Sequence, residues 1–167
     1  MRRLLPTLTF LGSLVAAGAP AHAAEGAVEV NFIAAARYAD AGRNPAEATR
    51  NEATLAQFLQ RLGARHLSPG GVLRIDVLDL DLAGTVRPGS GRGEVRVDKG
   101  GADGPRIRLH YALLDGGKVV ASGDESLTDL DHLRRSDYGL ADPLRHEKRL
   151  LQRWFQDRFV DLKAPAG

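Results

Sequence analysis

The sequence predicts an α+β fold: an antiparallel sheet of about four strands with two helices packed on one face. Three observations carry that expectation. Apolar and polar residues alternate at period two over 28–33 and 106–113, as half-buried strands require. Two segments with helical apolar spacing open on Asn44-Pro45 and Asp142-Pro143, a capping residue followed by the one residue suited to a first helical position. The strands gather after the first helix instead of alternating with helices, which argues against a parallel, doubly wound sheet.

Each element has its own local reason. In 28–33 Val28, Val30 and Phe32 share one parity. Residues 34–43 are small and mixed, with Tyr38 as the one large group. Asn44 caps a helix over 45–66, with Glu47 placed to reach back as in a capping box; Leu55, Phe58, Leu59, Leu62 and His66 form its face, and Pro69-Gly70-Gly71 stops it. Over 72–84 the apolar phase changes: Leu73, Ile75 and Val77 share one parity, Leu78, Leu80 and Leu82 the other. A regular strand cannot send both sets to one core. A β-bulge near Val77-Leu78 reconciles them and lets Asp76, Asp79 and Asp81 face outward; the alternative, a strand covered on both faces, would bury those aspartates at several kcal/mol each unless paired, a cost of about that size per group.

Residues 85–104 hold six glycines and seven charges, around a strand-like piece at 94–98. The segment reads as a long mobile loop or a floppy hairpin tip. Strand resumes at 106–113, with Ile107, Leu109, Tyr111 and Leu113 inward and Arg106, Arg108 and His110 outward. Asp115-Gly116-Gly117 turns it into 118–123. The stretch 124–138 begins acidic, carries Leu127, Leu130 and Leu133, and has room for a short helical turn. The last helix then presents Leu144, Leu151, Phe155, Phe159 and Leu162, widened by Leu150 and Trp154.

The chain of 167 residues, 43% hydrophobic and 26% charged, suits one domain over 24–163 with a tail at 164–167. Met1-Arg2-Arg3, an apolar run to Ala19 and Ala21-His22-Ala23 have the order of a secretory signal peptide over 1–23, cleaved between Ala23 and Ala24. Pro6, Thr7, Thr9 and Gly12 interrupt the run, so no transmembrane anchor is expected in the mature form. Losing Arg2 and Arg3 takes 23 basic residues to 21, level with 21 acidic. A neutral chain lacks the net basic surface of nucleic-acid binding. With no cysteine, disulfides, thiolate metal sites and a lipid-modified cysteine are all excluded, and packing must supply stability.

The motifs that invite a chemical reading have plainer ones. Gly89-Ser90-Gly91-Arg92-Gly93 lacks the buried strand before it and the helix start after it that a phosphate cradle needs. Asp79-Leu80-Asp81 and Asp129-Leu130-Asp131 offer hard oxygen ligands but lack the rest of a calcium loop, and read as outer-face or capping aspartates. His66, His110, His132 and His146 show no short metal spacing. Ser68, Ser90, Ser122, Ser126 and Ser136 include no nucleophile elbow. The final helix has a basic excess of two, an ordinary solvated face. No catalytic, cofactor-binding or metal residue is therefore assigned. The candidate interaction surface is Arg106, Arg108 and His110 on one sheet face, together with Asp124, Glu125, Asp129 and Asp131.

LDLDLAG at 78–84, ASGDESLTDLDHL at 121–133 and DPLRHEKRLLQRWF at 142–155, taken with the leader, resemble domain-of-unknown-function family 3016, small exported bacterial proteins. The resemblance spans nearly all of the mature chain. It implies a periplasmic protein of a Gram-negative envelope and supplies no activity. The expected function is non-enzymatic binding of an envelope partner or small ligand, by a sheet face or by 124–138; the alternatives are a small periplasmic hydrolase, with or without metal assistance through aspartates and histidines, and a structural accessory subunit whose exposed sheet edge adds to another protein's sheet.

Overall fold

The computed structural model of the chain describes residues 25–91, 93–134 and 142–161. The expected leader and its cleavage point at Ala23 and Ala24, Ser136 and Tyr138, and Leu162 with the tail lie outside them. Within the described residues run β1 (Ala27–Phe32), α1 (Pro45–His66), β2 (Val72–Asp81), β3 (Thr85–Pro88), β4 (Glu94–Val97), β5 (Arg106–Asp115), β6 (Lys118–Thr128) and α2 (Arg145–Phe155), with short 3-10 turns between several of them.

The main sheet has the order β1-β2-β5-β6. It is mixed, which corrects the purely antiparallel expectation: β2 with β5 and β5 with β6 are antiparallel, but β1 lies parallel to β2. The reason is connectivity. The whole of α1 intervenes between β1 and β2, and a helical crossover is what returns a chain parallel to the strand it left. Alternation within β1 could not reveal the direction of its neighbour.

The cap of α1 forms as its residues suggest: Asn44 Oδ1 accepts from the Glu47 N–H at 3.0 Å, and Glu47 Oε2 accepts from the Arg43 N–H at 3.3 Å. Leu55, Leu59 and Leu62 are buried, while His66 at the expected edge of that face is exposed. Gly63 lets α1 approach β1 closely, since a Cβ there would collide with Val28 Cγ2. The β2 register slips between Val77 and Asp79. Leu78 is the extra residue and is 38% exposed, so Val77 and Leu80 both reach the core.

The glycine-rich segment forms a hairpin, β3 pairing antiparallel with β4 from Thr85↔Val97 to Pro88↔Glu94. The β5–β6 turn is closed by Gly116 and Gly117 at φ 54° and 78° between Asp115 and Lys118, the two positive φ values that a tight hairpin turn requires. Both helices contribute to one core against one sheet face: Leu55, Leu59, Leu150, Leu151 and Phe155 meet Leu73, Ile75, Leu80, Ile107 and Leu109. Tyr111, Trp154, Phe155 and Phe159 interlock edge to face, with centroids 5.2 to 5.9 Å apart.

Candidate functional site

The uncovered face of the sheet holds Arg106, Arg108 and His110 on β5, as their parity requires. The register places Asp81, Asp79 and Asp76 of β2 directly opposite them, and Asp124 of β6 opposite His110 on the other side. Arg106 pairs with Asp81 at 3.2 Å and also donates to the Ala102 carbonyl at 3.0 Å. Arg108 lies 4.0 Å from Asp79, and His110 Nδ1 lies 2.9 Å from Asp124 Oδ1. Burial raises the Asp81 pKa, against the lowering pull of Arg106. Basic and acidic side chains thus alternate across this face, and Arg106, Arg108 and His110 each have an acidic neighbour.

The other three residues of the expected surface sit elsewhere. Glu125 turns toward the helices and pairs with Arg158 at 2.8 Å, beside a groove of about 480 Å³ between β6 and α2 that Trp154 and Arg153 help to line. Asp129 is buried and lies 3.2 Å from Arg153 Nη2, without hydrogen-bond alignment. Its Oδ1 accepts from the N–H of Asp131, which is itself exposed.

A second polar assembly lies under the helix side. His132 stands on a 3-10 turn, His132–Arg134, and is fully buried; His146 is in the first turn of α2; Asp98 follows the last residue of β4. His132 Nε2 lies 2.9 and 2.8 Å from the two Asp98 oxygens, and its Nδ1 lies 3.1 Å from the Asp129 carbonyl. His146 Nε2 is 3.6 Å from Asp98 Oδ2 and has no hydrogen-bond partner. The two rings meet edge to face at 4.7 Å. One donor atom from each of Asp98, His132 and His146 lies within 4.8 Å of the others, so these three could hold a metal ion.

The surroundings fix this group in place. The Arg149 guanidinium donates to the His132 carbonyl and lies 3.4 Å from His146 Nδ1. Burial, then the charges of Arg145 and His132, push His146 down to about 4, against the opposite pull of Asp98. Next to it Glu147 is buried and accepts from the Ala83 N–H at 2.7 Å, tying α2 to the chain leaving β2. Burial raises the Glu147 pKa, opposed by that N–H and by Arg96. Arg96 in turn grips Asp40 through two bonds of 2.9 and 2.8 Å.

Asp98, His132 and His146 were not singled out together from the sequence because no two lie within helical or turn spacing. One signal did exist. His146 and Glu147 precede Leu150 and Leu151 by four residues, which places both polar side chains on the buried stripe of α2.

No curated protein matches the chain. Among solved structures it is similar to a PelC variant dodecamer from Paraburkholderia phytofirmans, at 19% identity and TM-score 0.32, over 81% of this chain and 90% of that one. A TM-score that low carries no conclusion about this chain. The model of the family described as "Protein of unknown function (DUF3016)" matches residues 26–157, the span holding α1, α2, β1 to β6 and the buried histidines. The chain therefore belongs to the DUF3016 family.

Proposed function

We propose that the chain is an exported, non-enzymatic protein of the cell envelope that binds a protein partner by accepting a strand at the open edge of its sheet. The observation that carries this reading is β6. It is an 11-residue strand at one end of the order β1-β2-β5-β6, so one of its two edges has no sheet neighbour among the described residues. Strands are commonly about 5–6 residues long, and exposed edges are usually short or covered. Here Val119 and Val120 are each 60% exposed, and Val120 sits where the β5–β6 register slips. An added strand would gain main-chain hydrogen bonds along β6 and apolar contact at these valines. Export rests on the residue order of 1–23. No helix among the described residues is long and apolar enough to cross a membrane.

Fractionation with N-terminal sequencing tests export; the expected result is a mature chain beginning at Ala24 in the periplasmic fraction. A photo-crosslinking residue at Val119 or Val120 should trap one defined envelope protein in living cells, and the same probe at exposed Arg65 on α1 should not. Retention of an uncleaved chain in the cytosol, or equal crosslinking from both positions, would overturn the reading.

A further inference from the structure

The geometry points to a binding site for one divalent transition-metal ion, with zinc as the matching probe, formed by Asp98, His132 Nε2 and His146 Nε2. This goes beyond strand addition at β6 and uses none of its residues. Two imidazoles and one carboxylate are a borderline donor set suited to zinc, whereas calcium and magnesium prefer all-oxygen shells. Tetrahedral zinc with ligand bonds of about 2.0–2.1 Å needs donor atoms roughly 3.3 Å apart. The Asp98 oxygens stand 2.8 Å from His132 Nε2 and 3.6 Å from His146 Nε2, on either side of that value, and all three donors lie within 4.8 Å. Small rotations of the side chains would bring them onto an ion, and water would take the fourth position.

The hydrogen bonding independently calls for a positive charge at this point. His132 Nδ1 faces a carbonyl oxygen, which only accepts, so that nitrogen carries the hydrogen. Nε2 then presents its lone pair to a carboxylate that also only accepts, at 2.8 and 2.9 Å. Either a proton or a metal ion must lie between them. A proton satisfies His132 and Asp98 but leaves the buried His146 Nε2 without a partner; a metal ion engages all three. The Asp129 carbonyl on His132 Nδ1 is the kind of outer partner that orients a ligating imidazole. The Gly100 N–H, 2.9 Å from Asp98 Oδ1, steadies the carboxylate. Arg149 opposes binding, because metal on His146 Nε2 moves the ring hydrogen to Nδ1 and ends the 3.4 Å contact with the guanidinium. The ion would join the hairpin, the 3-10 turn and α2, which are distant in sequence.

The test uses the full mature chain without an affinity tag, stripped with chelator and titrated with Co(II) and then Zn(II). One equivalent of Co(II) should give visible d–d bands of tetrahedral intensity, Zn(II) should abolish them, and Zn(II) should raise Tm. His146→Ala and the near-isosteric Asp98→Asn should each weaken binding about 100-fold or more, judged against the 10–100-fold typical of outer-shell losses. His66→Ala and His110→Ala should bind as the parent does. Circular dichroism identifies any variant that fails to fold, and the one that folds decides the outcome. Absence of a tetrahedral Co(II) spectrum, or unchanged affinity in a folded site variant, would overturn the assignment. Crosslinking at β6 is a separate readout, so either proposal can fail alone.

Discussion

The polar group on the uncovered sheet face and the polar group beside α2 carry similar residue types at very different energetic stakes. On the uncovered face, Arg106, Arg108 and His110 alternate with aspartates in water, where such pairs are worth about 0–1 kcal/mol each. Beside α2, His132, His146 and Glu147 are buried and Asp98 is partly so; away from water an uncompensated polar group costs about 1–3 kcal/mol and a charge more. The first arrangement tolerates loss of a partner. The second requires that each charge be answered by a proton, a counter-charge or an ion. Polar residues are therefore most informative about function where solvent cannot satisfy them, and the conspicuous cationic stripe on β5 is the less constrained of the two.

Substitutions in the buried and the open parts of the molecule can break or sharpen this contrast. The largest effect is expected at Trp154, buried on the helix side against Tyr111 and Phe159. Trp154→Ala should destabilise by about 3–5 kcal/mol, and a urea midpoint equal to that of the parent would remove the indole from the core. An intermediate effect is expected at Tyr38, whose hydroxyl donates to the Val77 carbonyl at 2.8 Å. Tyr38→Phe should cost about 1 kcal/mol, the usual size for one such bond.

Burial, then the Glu52 carboxylate, pushes Tyr38 up to about 12 from an ordinary 10. Because the folded value is the higher, the unfolded chain loses its proton first. The stabilisation is complete below pH 10 and is lost as pH rises toward 12. Denaturation curves across that window should fall less steeply for Tyr38→Phe than for the parent, and parallel curves would contradict the assignment. The smallest effect belongs to the open face: Arg108→Ala, removing a 4.0 Å ion pair between an exposed guanidinium and the half-exposed Asp79, should change stability by less than about 0.5 kcal/mol. A loss above about 1 kcal/mol, the upper end for an exposed pair, would mean that the alternating charges act as a network.

Much of the fold was legible because it is written in local terms. The residues of α1 declare their own cap and stop, and the helix runs from Pro45 to His66 as its spacing predicts. The phase change in β2 required a bulge near Val77-Leu78, and the register slips there. Asp115-Gly116-Gly117 named its hairpin. Other features were not legible for equally physical reasons. The glycines of 85–104 permit a loop and a hairpin alike, and pairing of β3 with β4 depends on partners brought together by the fold. The start of α2 moved from Asp142-Pro143 to Arg145, because Asp142 accepts from the Leu144 N–H in a turn before the helix. Burial pushes Asp142 up, but the Lys148 ammonium and that N–H outweigh it and hold the carboxyl below its ordinary value.

By itself the sequence determined the α+β class, the helix faces, the bulge and the parity that sends Arg106, Arg108 and His110 to solvent. These follow from spacing along one element, which periodicity records. Only the tertiary structure decided that β1 runs parallel to β2, that β6 takes one end of the sheet among the described residues, and that Asp98, His132 and His146 converge. Those are relations between elements far apart in sequence, set by which surfaces bury one another, and no local period encodes them.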